Sequence, residues 1–243
     1  MIRNPYYLKY ILRVNPDLVM HIGGHRGQDG HSYQVIMKEE SQIIWAEPDI
    51  DNARVIQGKF PSHKVLTDVF WSEKNVDINF YKTIDSEKSS AKKPIDKLTE
   101  TVVEEIMLQT TTIDHEMPKD TKKCLLVLDV QGGEIEVLRG ASGSFTQVKW
   151  IVLEVTSNGG EYENVPTEIQ LDSLLKSEGF RKSISRISHN GDYKDQLYLR
   201  DGKIKSSILM MVDIVFIQAR NVFHVIRFGH LSTTVWHCSQ CNR

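Results

Sequence analysis

The segment LLVLDVQGGEIEVLRGA, Leu125 to Ala141, ends an apolar run in an acid, crosses two glycines and sets a second acid at the head of a helix-like stretch. Asp129 and Glu134 are residue types that stabilise a neighbouring cation or take a proton from a hydroxyl, a poor nucleophile near neutral pH. The next apolar run, KWIVLEV, brings Glu154 to the end of an adjacent strand, where it and Asp129 form a candidate pair for an oxygen-loving cation such as Mg2+. Glu134 also has a plainer reading, because a carboxylate in the first turn of a helix is favoured by the helix dipole. His25 and His115 are two further candidate bases, each equally readable as a solvated loop histidine.

A second constellation lies upstream in LVMHIGGHRGQDG, Leu18 to Gly30. A strand that turns through Gly23, Gly24 and Gly27 into a helix lets a ligand approach the backbone and meet free N–H groups. The strict GxGxxG spacing is absent. Glu47 closes the following run, QIIWAEP, 20 residues after Gly27, where an acid can accept hydrogen bonds from both hydroxyls of a ribose. Glycine turn and acid together point to an adenosine-containing ligand. A nicotinamide oxidoreductase has no need of the acid-rich loop after Leu128, whereas a cationic sulfonium benefits from nearby carboxylates.

Positioning these residues requires a sheet. Five apolar runs, LVMHI, QIIWAEP, HKVLTDVFW, CLLVLDV and KWIVLEV, alternate with helix-like segments and stop at polar or glycine residues. That is the pattern of parallel strands joined by crossover helices, with a ligand edge at the carboxyl ends. Between Ser72 and Thr112 the rhythm changes to exposed-face alternation, which predicts an insertion on the sheet edge rather than a second domain. TEIQLDSLLKSEGF predicts a helix with Ile169, Leu171, Leu174 and Leu175 on one face and Gly179 as its terminator. KSISRI and DQLYLR then predict a closing antiparallel pair around an HNGD turn. Residues 1–16 are expected as a helical lead-in, 17–200 as the main domain and 201–243 as an extension. Within that extension, residues 207–228 can be drawn as an amphipathic helix, a candidate homodimer surface. GASGSF lacks the spacing of a nucleophile elbow, which argues against a hydrolase. HCSQC has CxxC spacing without a second ligand pair nearby, so a structural zinc site is not expected.

The 243 residues suffice for one sizeable core. Thirty Lys plus Arg against 32 Asp plus Glu give a net charge of -2, and the cations are scattered, which argues against a nucleic acid partner. Three cysteines without framework spacing fit a reducing, cytoplasmic setting. The N-terminal stretch has no uninterrupted apolar region of the signal-peptide kind, and no segment offers about 20 clean apolar residues for a transmembrane helix.

The motifs HIGGHRGQDG, WAEPD, LTDVFWSEK, the SS of SEKSSAKK, TTTID, LDVQGGEIEVLRGA and IVLEV, in this order, resemble the FkbM family of S-adenosyl-L-methionine-dependent methyltransferases from about Asp17 to Arg200. The resemblance implies an α/β class I methyltransferase fold, Rossmann-like, with a seven-stranded mostly parallel sheet, helices on both faces and an antiparallel closing strand. It implies methyl transfer to a hydroxyl of a sugar, polysaccharide or related small molecule. Carried onto this sequence, His21, Gly23, Gly24 and Gly27 would line the methionine end and ribose, Glu47 would hold the ribose hydroxyls, and Asp68 with Val69 would meet the adenine. Asp129 would lie near the methyl group, with Glu134 and Glu154 as additional catalytic candidates. This chain departs from the family at His21, where Asp is usual, and at Val127, where Lys is usual. Those departures motivate a second expectation, a binding module of the same fold that has lost turnover; a NAD-dependent oxidoreductase is a third.

Overall fold

A computed structural model of the chain describes residues 14–37, 43–156, 160–186 and 193–200, together with Pro5, Leu8 and Lys9. The described residues lie in one compact unit, 1–200. The amphipathic segment 207–228, the HCSQC stretch and most of the lead-in lie outside the described residues.

The main sheet has seven strands: β1 (Leu18–Ile22), β2 (Ile43–Ala46), β3 (Lys64–Leu66), β7 (Cys124–Leu128), β8 (Val148–Thr156), β9 (Phe180–Arg186) and β10 (Tyr193–Arg200), in the order 3-2-1-7-8-10-9. β1 pairs in parallel with both β2 and β7, and β7 with β8. Every residue of β1, β2 and β7 is buried, as expected of parallel strands covered on both faces. β10 runs antiparallel to β8 and to β9, so the predicted closing pair is present; its HNGD turn lies outside the described residues.

The crossover helices are α1 (Gly30–Ile36), α2 (Ile50–Lys59), α5 (Glu134–Arg139) and α6 (Glu168–Ser177). Helix α6 begins at a capping box of Thr167 and Gln170, and Gly179 follows its end at φ +81°, the left-handed position that glycine accepts without penalty. Leu171 and Leu175 are buried and Leu174 packs against the core, but Ile169 is 76% exposed. The expectation for Ile169 fails on simple geometry: at about 100° per residue it lies some 200° from Leu171, on the opposite face.

The run HKVLTDVFW also departs from expectation, because it is two strands. β3 ends at Leu66, the chain turns, and β4 (Val69–Phe70) joins a separate sheet of order 4-6-5. There β4 pairs in parallel with β6 (Val102–Thr111), which pairs antiparallel with β5 (Asp77–Thr83). The insertion is thus a ribbon sharing its root with the main sheet, closed by a 3-10 turn at Ser86–Lys88 and two short helices, α3 (Asp96–Thr99) and α4 (Ile113–Glu116). No helix among the described residues is long and apolar enough to cross a membrane.

Candidate active site

The carboxyl ends of β1, β2, β7 and β8 open on a cavity of about 380 Å³. Gly23 leaves β1 at φ +85°, and the N–H groups of Gly23 and Gly24 both donate to the Ala46 carbonyl of β2. A Cβ on Gly23 would lie 1.8 Å from the carbonyl oxygen of Asp129, so only glycine lets the two strand ends come this close. Gly27, at φ +70°, closes the turn through its N–H to the Gly24 carbonyl and packs beside Phe60; it shapes the loop without lining the cavity.

Glu47 follows β2 and is buried, yet both of its oxygens are held. Oε2 accepts the His25 backbone N–H at 2.7 Å and Oε1 the Asp49 N–H at 3.0 Å. Burial pushes this acid up to about 8 against the pull of those two donors. Each oxygen retains a lone pair for a hydroxyl donor in the cavity, which its lining places within reach. Beside it, Asp49 caps α2 through the Asp51 N–H and is paired with Lys82 of β5 at 3.3 Å, tying the insertion to the sheet edge.

Asp129, immediately after β7, and Glu154, near the end of β8, stand side by side because Leu128 is in register with Leu153. The Gln131 amide lies between them, its Nε2 donating to Asp129 Oδ1 at 2.8 Å and to Glu154 Oε2 at 3.2 Å. Both acids are pushed up, chiefly by burial, Glu154 to about 9 with the Asp129 charge as the next cause. Each acid opposes ionisation of the other, so the pair gives up its second proton less readily than its first.

A family model, the methyltransferase FkbM domain, matches residues 21–182. The chain belongs to the FkbM methyltransferase family. This makes it an S-adenosylmethionine-dependent methyltransferase, and the seven-stranded sheet is the Rossmann-like class I arrangement. No curated protein matches the chain. Among solved structures it is similar to a magnesium protoporphyrin IX methyltransferase from Synechocystis with bound SAM, at 8% identity over 81% of this chain and 76% of that one, TM-score 0.45. It is also similar to a precorrin-6y C5,15-methyltransferase from Geobacter metallireducens, at 11% identity over 81% and 88%, TM-score 0.43.

Within this FkbM domain the cavity brings together His21, Gly23, Gly24, Glu47, Asp68, Val69, Asp129 and Glu154 of the expected residues. Glu134 does not line it. Its Oε1 accepts the N–H groups of Val130 and Gly132, which folds the loop after β7 over the helix start, and burial pushes it up to about 7. The bland reading of Glu134 as a structural carboxylate has the geometry behind it, although its partners are loop amides rather than the dipole alone. His115 is also absent from the lining; it lies against Lys74 and Glu116 at the surface. His25 does line the cavity, with Gln28 donating to Nδ1, so that Nε2–H faces Ser86 Oγ at 2.8 Å.

The departure at His21 is accommodated by an aromatic nest. The Tyr33 hydroxyl shares a hydrogen bond with Nδ1 at 2.7 Å, and the Trp45 ring lies 5.0 Å away. Burial lowers the imidazole to about 4, so it is neutral, and its Nε2 has no hydrogen-bond partner. Val127 is buried in β7 between β1 and β8.

No group of three His, Cys, Asp or Glu among the described residues is placed to hold a metal ion. The Mg2+ expectation is corrected accordingly: an amide, not an open cation position, spans the two carboxylates that were to share the ion. Sequence reasoning missed Gln131, whose only signal was its place between Asp129 and the two glycines. It also missed Trp71, Phe80, Ser86 and Ser89, which the insertion adds to the wall.

Proposed function

We propose that the chain transfers the methyl group of S-adenosylmethionine to a hydroxyl of a sugar, polysaccharide or related small molecule. The observation that carries this reading is a single cavity joining the glycine turn and Glu47 to the carboxylate pair of Asp129 and Glu154. Its residues suit the cofactor: Gly23 leaves the backbone bare, Glu47 offers acceptors for the ribose hydroxyls, Asp68 and Val69 provide the adenine edge, and Asp129 provides negative charge. When bound, the cofactor supplies an electrophilic methyl group on a cationic sulfur.

The chain's own residues do the rest. Acceptor and donor must be held in one geometry, which is the larger part of catalysis for such a displacement. Asp129 is the base that accepts the acceptor hydroxyl proton at its carboxylate. Glu154, beside it and pushed up by burial, is placed to share a proton with a neighbouring acceptor oxygen. Trp71 and Phe80 add aromatic faces suited to the C–H side of a sugar ring.

Thermal unfolding with S-adenosylhomocysteine, and with NAD as control, tests the cofactor assignment. At a hundredfold over its dissociation constant a ligand adds about 2.7 kcal/mol, roughly 5–10 °C for a chain of this size. A shift with S-adenosylhomocysteine alone is expected. An equal shift with NAD, or none with either, would count against it. The acceptor class is then read by transfer of labelled methyl to panels of glycans and polyol-bearing small molecules.

A further inference from the structure

The loop after β7 carries a feature that cofactor binding by itself does not require. Gln131 adopts φ +54°, a left-handed conformation costing a residue with a Cβ on the order of 1 kcal/mol, although Gly132 and Gly133 follow directly. In this conformation one amide nitrogen reaches carboxylates on two strands, Asp129 at 2.8 Å and Glu154 at 3.2 Å. The reverse amide orientation would set its oxygen against whichever of the two acids is ionised. The backbone carbonyl of Gln131 is gripped from the insertion by the Ser90 hydroxyl at 2.8 Å. Gln131 also lines both the main cavity and a smaller recess next to it that contains Thr156 and Tyr162.

The charge balance explains what such an amide accomplishes. Asp129 is faced by Asp29 and Glu87 on one side and interacts with Glu47, Glu134 and Glu154 on others, and each of these opposes its ionisation. An N–H donor stabilises the carboxylate form selectively, and Gln131 provides it without adding charge. We propose that Gln131 is a positioning residue that keeps Asp129 ionised in the transfer cavity, so that the site prefers the cationic methyl donor over the neutral thioether left after transfer. The inference rests on the methyltransferase reading of the cavity. Its benefit is release of product, because the bound thioether loses the attraction that held the sulfonium.

The test needs no acceptor. Calorimetric titration of the full chain with S-adenosylmethionine and with S-adenosylhomocysteine, from pH 5 to 9, gives the affinity ratio for the parent, Gln131→Met and Asp129→Asn. Glu47 titrates in this range as well, but it is present in all three proteins, so the comparison is made between their curves at each pH. In the parent the preference for S-adenosylmethionine follows the charge of Asp129, low where the carboxyl is protonated and high where it is ionised. In Gln131→Met that rise moves upward by about one pH unit, leaving the preference about fivefold smaller at the parent's midpoint. In Asp129→Asn the ratio is lower than the parent's and rises less with pH, the remaining rise being that of the other cavity acids. Partial loss of fold reduces the binding-competent fraction for both ligands together and leaves the ratio unchanged. A Gln131→Met ratio that follows the parent at every pH, or an Asp129→Asn ratio that equals the parent's at every pH, overturns the inference while leaving the cofactor assignment intact. Failure of both ligands to bind the parent overturns the cofactor assignment and the inference with it.

Discussion

The two ends of the cavity are built from different materials. At the β1–β2 end the ligand-facing surface is backbone: Gly23 and Gly24 anchored on the Ala46 carbonyl, and Glu47 fixed by two main-chain N–H groups. At the β7–β8 end it is side chain: Asp129 and Glu154 held by one amide, and Glu134 turned away to brace the loop. Backbone geometry tolerates almost no change in residue size, whereas a side-chain network tolerates shape changes and is sensitive to charge. The cofactor end is therefore expected to fail by sterics and the transfer end by protonation.

The severest way to probe that contrast is Gly23→Ala. The added Cβ would sit 1.8 Å from the Asp129 carbonyl oxygen, and φ +85° is unfavourable for alanine, so β1 and β7 must move apart. A loss of at least about 2 kcal/mol of stability, together with complete loss of the S-adenosylhomocysteine thermal shift, is expected from denaturant titration and melting curves. Retained binding would show that the strand ends are not in contact in solution.

Glu47→Gln has a smaller effect and a signature in pH. The parent's acid is raised to about 8 in the fold from an ordinary value near 4.5, so the native state holds more protons between those limits. Its contribution to stability is fully present below about 4.5 and is lost as pH rises through about 8. Glutamine removes that term, so the decline in Tm between pH 5 and 8 becomes shallower. Near neutral pH, where the acid is mostly uncharged, affinity for S-adenosylhomocysteine falls roughly twofold to tenfold, as expected for one neutral hydrogen-bond partner.

Glu134 gives the mildest separation of the two regions. Both loop amides reach its Oε1, so Glu134→Gln can keep both bonds and is expected to preserve ligand affinity within about twofold. Glu134→Ala leaves two N–H groups unpaired and costs about 1–3 kcal/mol in denaturant midpoint. Transfer activity lost in Glu134→Gln at unchanged stability would return this residue to a catalytic role.

The glycine turn after β1 and the acid after β2 were legible because their constraints are written in residue type: glycine where no Cβ fits, an acid where an apolar run stops. The parallel sheet, the closing pair and the Gly179 terminator were legible for the same reason. The transfer end was not, since the bridging role of Gln131 depends on the register of β7 with β8 and on a left-handed φ, neither of which glutamine announces. Nor was the third apolar run, where a turn of Thr67 and Asp68 divides two sheets without glycine or proline to mark it. The insertion was recognised as a change of rhythm, but its delivery of Phe80, Ser86 and Ser89 to the cavity follows from long-range pairing of β5 with β6.

Ser90 and Ser86 make the insertion more than a wall. One grips the Gln131 carbonyl and the other meets His25 beside the glycine turn. On the function and the role of Gln131 proposed above, recognition of the acceptor and control of the cavity's charge are mechanically joined through these two contacts. Grafting the ribbon from a relative with another acceptor is then expected to alter how strongly the spent cofactor is retained, so that a change of specificity carries a change of turnover with it.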